Sequence, residues 1–176
     1  MLSRRQLIVA ASVTASAAAF GGRLFANPMA PRTLSLHNTH TGEALTATYW
    51  EGGAYVPDAL DAMNKLLRDN RTGDIHPMAP NLLDLATTLR GKLDTNQTVE
   101  IISGYRSPKT NAALHAASGG VASNSLHMQG LAMDIRIPGI QLDHLRDAAL
   151  DLRDGGVGYY PGSDFVHIDV GRVRHW

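Results

Sequence analysis

Gly156-Val157-Gly158-Tyr159-Tyr160-Pro161-Gly162-Ser163-Asp164-Phe165-Val166-His167-Ile168-Asp169-Val170 alternates in character on either side of a Pro-Gly turn. A period of two interrupted by turn residues specifies a pair of antiparallel strands. Upstream, Ala132 to Ile137 alternates in the same way. Ala132, Asp134 and Arg136 share one face of that strand, and Met133, Ile135 and Ile137 share the other. Val99 to Ser103 reads as another strand, and Thr33–Leu36 with Leu45–Tyr49 flank a turn at Thr41-Gly42-Glu43, an N-terminal β-hairpin. Helices separate these strands. Pro57-Asp58 opens one whose apolar positions Leu60, Met63, Leu66 and Leu67 follow helical spacing, and Arg71 to Asp74 ends it. A second runs from about Asn81 to Lys92, and a third starts at the Ser107-Pro108 cap and continues to Ala117. Ser118 to Ser125 is a small-residue loop, and a fourth helix lies around Leu142 to Arg153. Segregated helices and hairpins specify an α+β fold, with a central, mainly antiparallel sheet flanked by helices.

The chain has 176 residues, enough for one compact domain and an export segment. Sixteen basic residues balance sixteen acidic ones, so there is no basic footprint for nucleic acid. The absence of cysteine excludes disulfides, a thiolate metal site, a cysteine nucleophile and a lipidated cysteine. Any bound metal must use His, Asp or Glu. Residues 1–26 read as a Tat-type signal peptide: Arg4 and Arg5 precede a mildly apolar stretch from Ile8 to Phe20. That stretch is short for a spanning helix, which needs roughly 20 apolar residues, so no stable membrane span is expected after cleavage. Cleavage is expected after Ala26, although Leu24 is large for its position. Residues 27–176 are then a single, mildly acidic, periplasmic domain, expected to be a monomer.

Chemistry concentrates in two segments. Ser125-Leu126-His127-Met128-Gln129-Gly130-Leu131-Ala132-Met133-Asp134 offers an imidazole entering a strand and a carboxylate within it. Taken alone, a carboxylate so placed more often pairs with an arginine, such as Arg106 or Arg136, and a single histidine is more often structural. The second segment changes that balance, because His167 occupies an apolar strand directly after a tight turn. Facing Asp134 across neighbouring strands, it would complete a set of two imidazoles and one carboxylate. Three protein ligands with a fourth position left open is the catalytic zinc arrangement, whereas structural zinc is usually closed by four ligands.

The same segments resemble the zinc D-alanyl-D-alanine metallopeptidases, within the group that includes lysostaphin-like enzymes and the hedgehog fold. Ser125, His127, Gly130, Ala132 and Asp134 fit the Ser-x-His-x-x-Gly-x-Ala-x-Asp motif, and Asp164 lies three residues before His167 as the family's acidic base does. Gly104, Tyr105 and Arg106 meet the upstream Gly-Tyr-Arg element. Ser103 to Pro108 and Gly155 to Tyr160 look like the Tat-exported murein endopeptidase K branch. The resemblance implies a hedgehog/DD-peptidase-like fold. It also implies one zinc per chain on His127, Asp134 and His167, Asp164 as general base, and Arg106 orienting the substrate or stabilising the oxyanion. The implied substrate is a peptidoglycan peptide crosslink, either D-alanyl-diaminopimelate or diaminopimelate–diaminopimelate. Many relatives carry Glu where Asp164 stands, and Asp is shorter by one methylene.

Two rival readings remain open: a zinc-containing peptidoglycan-binding module that does not cut, and a D,D-carboxypeptidase. Asp164 argues against the first, because a mere binder needs no acid there. Asp169 either orients a histidine or forms a surface salt bridge. His37, His40, His115 and His144 are expected to be solvated or hydrogen-bonded, and His76 to be structural. Of Tyr159 and Tyr160, one is expected in the core and the other against the cleft.

Overall fold

The computed structural model describes residues 30–118 and 120–176; the expected signal peptide, residues 1–26, lies outside them. The N-terminal hairpin pairs β1 (Arg32–Asn38) with β2 (Ala44–Glu51), and a short β3 (Ala54–Tyr55) lies on the outer side of β2. Two helices follow, α1 (Pro57–Leu66) and α2 (Pro80–Lys92). The chain then returns to the sheet as β4 (Val99–Ser103), parallel to β1.

Proline at the first turn starts α1, α2 and α3 (Pro108–Ala117), where its missing N–H leaves no helical bond unmade. The Ser107 hydroxyl caps α3 by accepting from the Thr110 N–H at 3.2 Å. After β5 (Ala132–Arg136) come α4 (Leu142–Leu152) and the hairpin of β6 (Gly156–Tyr160) with β7 (Phe165–Asp169). A short β8 (Arg174–His175) runs parallel to β6.

The strand order is β3-β2-β1-β4-β5-β7-β6-β8, with two parallel pairs, β1–β4 and β6–β8, in an otherwise antiparallel sheet. The α+β architecture read from the sequence is therefore present. Sequence patterning did not reveal β3 or β8, which are two-residue strands too short to show a period.

One face of the sheet carries Leu34, Leu36, Ile101, Met133, Ile135, Val166 and Ile168, all buried against Met63, Leu67, Leu82, Leu89 and Leu145 of the helical layer. Strand alternation then dictates what the opposite face presents. Asp134 on β5 and His167 on β7 point away from the core and sit directly opposite one another in register.

Candidate metal centre

Asp134 and His167 are adjacent because β5 pairs with β7, and His127 joins them from outside the sheet. It lies in a 3-10 turn, Leu126–Gln129, not at the entry of a strand as its sequence suggested. The Ser125 hydroxyl caps this turn by accepting from the His127 N–H at 3.3 Å. His127 Nε2 lies 3.2 Å from Asp134 Oδ1 and 3.2 Å from His167 Nδ1, and His167 Nδ1 lies 2.8 Å from Asp134 Oδ1. All three residues are buried. Among the described residues, this is the one group of three His and acidic side chains whose donor atoms converge closely enough to share an ion.

Hydrogen-bond partners settle where the imidazole protons lie. His127 Nδ1 is 2.7 Å from the Gly104 carbonyl, which can only accept, so the proton is on Nδ1 and Nε2 carries a lone pair. His167 Nε2 is 3.1 Å from Asp169 Oδ2, which places its proton on Nε2 and a lone pair on Nδ1. With those two protons directed outward, His127 Nε2, His167 Nδ1 and Asp134 Oδ1 can all turn lone pairs to one point. These three side chains form a group that could hold a metal ion.

Ligands about 2.0–2.1 Å from a tetrahedral zinc stand about 3.3 Å from one another. The observed separations of 2.8–3.2 Å fit that triangle. Two imidazoles and a carboxylate also suit zinc better than a hard cation.

A family described as Peptidoglycan L,D-endopeptidase MepK matches residues 26–176. The peptidoglycan L,D-endopeptidase MepK of Escherichia coli (strain K12) is 46% identical over 176 residues, covering 99% of this chain and 97% of that protein. The probable peptidoglycan L,D-endopeptidase MepK of Haemophilus influenzae is 43% identical over 147 residues, covering 83% of this chain and 79% of its own. The chain belongs to the MepK family. In this member of it, a cleft of about 240 Å³ opens over the three converging side chains, between the 120–126 loop and Tyr160, Phe165 and Trp176.

Arg106, expected at the site, lines the cleft with Nη2 3.5 Å from Asp134 Oδ2. The Arg106 N–H donates to the His127 carbonyl at 3.2 Å, and the neighbouring Tyr105 N–H donates to the Leu67 carbonyl at 2.7 Å. Burial pushes the guanidinium down from its ordinary value while Asp134 pulls it up. Asp164 is not brought into the cleft. It ends the Pro161–Ser163 turn with φ +54°, and its exposed carboxylate accepts from Arg136 Nη1 at 2.7 Å. Arg136 also engages Glu100. Arg136 shares the site face of β5 with Asp134, so Asp164 stands on the correct side of the sheet but one pleat along.

Asp169 is fully buried, which removes the surface salt-bridge alternative. Besides His167 it accepts from the Gly156 and Gly171 N–H groups and from both terminal nitrogens of Arg174. Burial alone would raise its carboxyl, but the bonds from His167, Arg174 and these two N–H groups hold it well below the ordinary range. The remaining histidines take no part in the cluster. His76 stacks on Tyr105 with ring centroids 4.7 Å apart, and His115 bonds the Val121 carbonyl. Tyr159 packs on the core while Tyr160 lines the cleft.

Sequence reasoning missed Arg174 and Trp176. The signal was present in Gly156 and Gly158, two glycines on one face of one strand, which mark places where other groups approach closely.

Proposed function

We propose that this protein is a zinc-dependent murein endopeptidase that hydrolyses peptide crosslinks of peptidoglycan. The observation that carries the reading is the convergence of three candidate donor atoms, His127 Nε2, Asp134 Oδ1 and His167 Nδ1, at the floor of an open cleft. His127, Asp134 and His167 hold the metal. When bound, zinc supplies Lewis acidity and lowers the pKa of water towards about 7.

The chain's own residues do the rest. Gly104 and Asp169 fix the two imidazole tautomers, so both ligands keep their lone pairs directed at the same point. Asp164 exchanges Arg136 for water and accepts the proton of the attacking nucleophile, returning it to the departing amine. Arg106 is preorganised by its backbone bond to His127, and its guanidinium faces the charge that develops on the scissile carbonyl oxygen.

The MepK relatives are named L,D-endopeptidases. A D-alanyl-diaminopimelate crosslink joins two D-centres, whereas a diaminopimelate–diaminopimelate crosslink joins an L-centre to a D-centre. The second is the bond we assign to this protein. A peptidoglycan substrate also places the protein in the periplasm, reached through Tat export directed by Arg4 and Arg5. Among the described residues no helix is long and apolar enough to cross a membrane.

The test is digestion of purified sacculi with the mature domain, with products identified by mass. Loss of diaminopimelate–diaminopimelate dimers, stopped by a chelator and restored by zinc, is the expected result. Binding to sacculi without any cleavage would point to a binding module, and release of terminal D-alanine alone would point to a carboxypeptidase.

A further inference from the structure

Trp176 is about half exposed, yet its backbone and its indole N–H are all hydrogen-bonded. Its N–H donates to the Val157 carbonyl at 3.3 Å, its carbonyl accepts from the Tyr159 N–H at 3.1 Å, and its Nε1 donates to the Tyr160 hydroxyl at 2.6 Å. The Arg174 guanidinium lies 4.9 Å from the ring centroid on one side, and the His167 ring lies 5.2 Å away. Gly158 is paired in register with His167. A Cβ at Gly158 would come within 2.7 Å of Trp176 Cε2, so the indole fills the space that a side chain there would take.

An aromatic ring is thus brought from beyond β8, across β6, to the flank of a metal ligand. Trp176 as a residue keeps 49% of its surface exposed, and it forms part of the cleft wall beside Tyr160 and Phe165. Those two rings stack with centroids 4.6 Å apart, which extends the apolar wall. The opposite wall, residues 120–126, presents Val121, Ala122 and the polar Asn124.

We propose that Trp176 is a substrate-binding residue whose exposed face packs on the methylene chain of the diaminopimelyl residue next to the scissile bond. This deepens the endopeptidase reading and rests on it. Within a peptidoglycan crosslink, diaminopimelate carries the longest aliphatic run, three methylenes between its two α-carbons, with a free carboxylate at its D-centre. Such a chain matches an apolar wall flanked by the guanidiniums of Arg106 and Arg174. Trp176 acts on binding, because its ring contacts the cleft and donates no group to the reacting atoms.

The test measures kcat, KM and bound zinc for wild type, Trp176→Ala, Trp176→Phe and Gly158→Ala on a diaminopimelate–diaminopimelate muropeptide dimer. Gly158→Ala displaces the indole without removing it, so the test survives if Trp176→Ala does not fold. Loss of one such contact should raise KM about tenfold in Trp176→Ala and Gly158→Ala. The kcat and zinc content should stay near wild type, and Trp176→Phe should recover part of the loss. Unchanged KM in both alanine variants would overturn the proposal. So would a fall in kcat or in zinc with KM unchanged, which would make the ring a support for His167. No cleavage of the dimer by wild type would instead overturn the endopeptidase reading, and this proposal with it.

Discussion

His127 and His167 each direct one ring nitrogen outward, to the Gly104 carbonyl and to Asp169, and this turns the other nitrogen of each ring towards Asp134. If these residues hold the metal as proposed, each is one of three ligands, so His127→Ala or His167→Ala should strip the metal from the purified domain. Metal analysis after dialysis checks this, and full zinc occupancy in either variant would sink the ligand assignment. Asp164 poses a different question, because its carboxylate rests on Arg136 and not over the ligands. Hydrogen bonds of catalytic bases are often long or poorly aligned before substrate binds and tighten in the complex. Asp164→Asn keeps the size and loses the basicity. The expected outcome is a fall in crosslink cleavage of about 10²- to 10⁴-fold with zinc retained. Equal turnover per bound zinc would show that another group takes the proton.

β6 shows how a single strand serves the site through what it lacks. Gly156 and Gly158 both lie on the face towards the metal centre. Gly158 makes room for the Trp176 indole, and a Cβ at Gly156 would strike the Arg174 guanidinium and the Asp169 carboxylate. Gly156→Ala should therefore push Asp169 away from His167 Nε2 without touching any metal ligand. Loss of such a supporting partner typically weakens metal affinity about 10- to 100-fold. Competition with a chromogenic chelator measures it; wild-type affinity would show that Asp169 is not needed to orient His167. The 3-10 turn carrying His127 is a second element of this kind, since its position relies on Ser125 at its start and on the backbone bond from Arg106.

Stability of the whole molecule depends in part on a buried carboxylate remote from the metal. Asp69 accepts from the Ser107 N–H at 2.8 Å and from the Arg71 N–H at 2.8 Å, which ties the segment after α1 to the start of α3. Burial would raise its carboxyl, but hydrogen bonds from Thr110, Ser107 and these backbone groups hold it far below the ordinary value. A depressed folded-state pKa contributes stability above the unfolded value of about 3.9, and that contribution is lost as pH falls towards the folded value. Asp69→Asn should destabilise the domain by about 1–3 kcal/mol at neutral pH. The gap between variant and wild type in urea unfolding should shrink below about pH 4. A gap that stays constant down to pH 2 would show that the charge of Asp69 is not the source. At the scale of the cell, Arg4→Lys with Arg5→Lys should leave full-length precursor in the cytoplasm. Normal processing of that double variant would point to the general secretory route.

Most elements of the fold were legible because their signals are local: a period of two in β5, β6 and β7, helical spacing in α1, and proline or Ser107 at helix starts. The ligand set was legible for a related reason. His127, Asp134 and His167 are the residue types that a cysteine-free chain must use for zinc, and they stand in an ordered, family-like pattern. Partners were not legible. That the proton of His127 goes to Gly104, that Asp169 is buried under Arg174, that Asp164 pairs with Arg136 and that Trp176 reaches His167 all depend on β5 lying beside β7 and β8 beside β6. Strand order and register are set by long-range packing of the whole sheet, and a two-residue strand such as β8 has no period to announce it. The sequence by itself therefore determined the elements and the three residues proposed to hold a metal. Only the tertiary structure decided which atoms meet, because strand order, register and turn geometry set those meetings whatever the spacing of the residues in the chain.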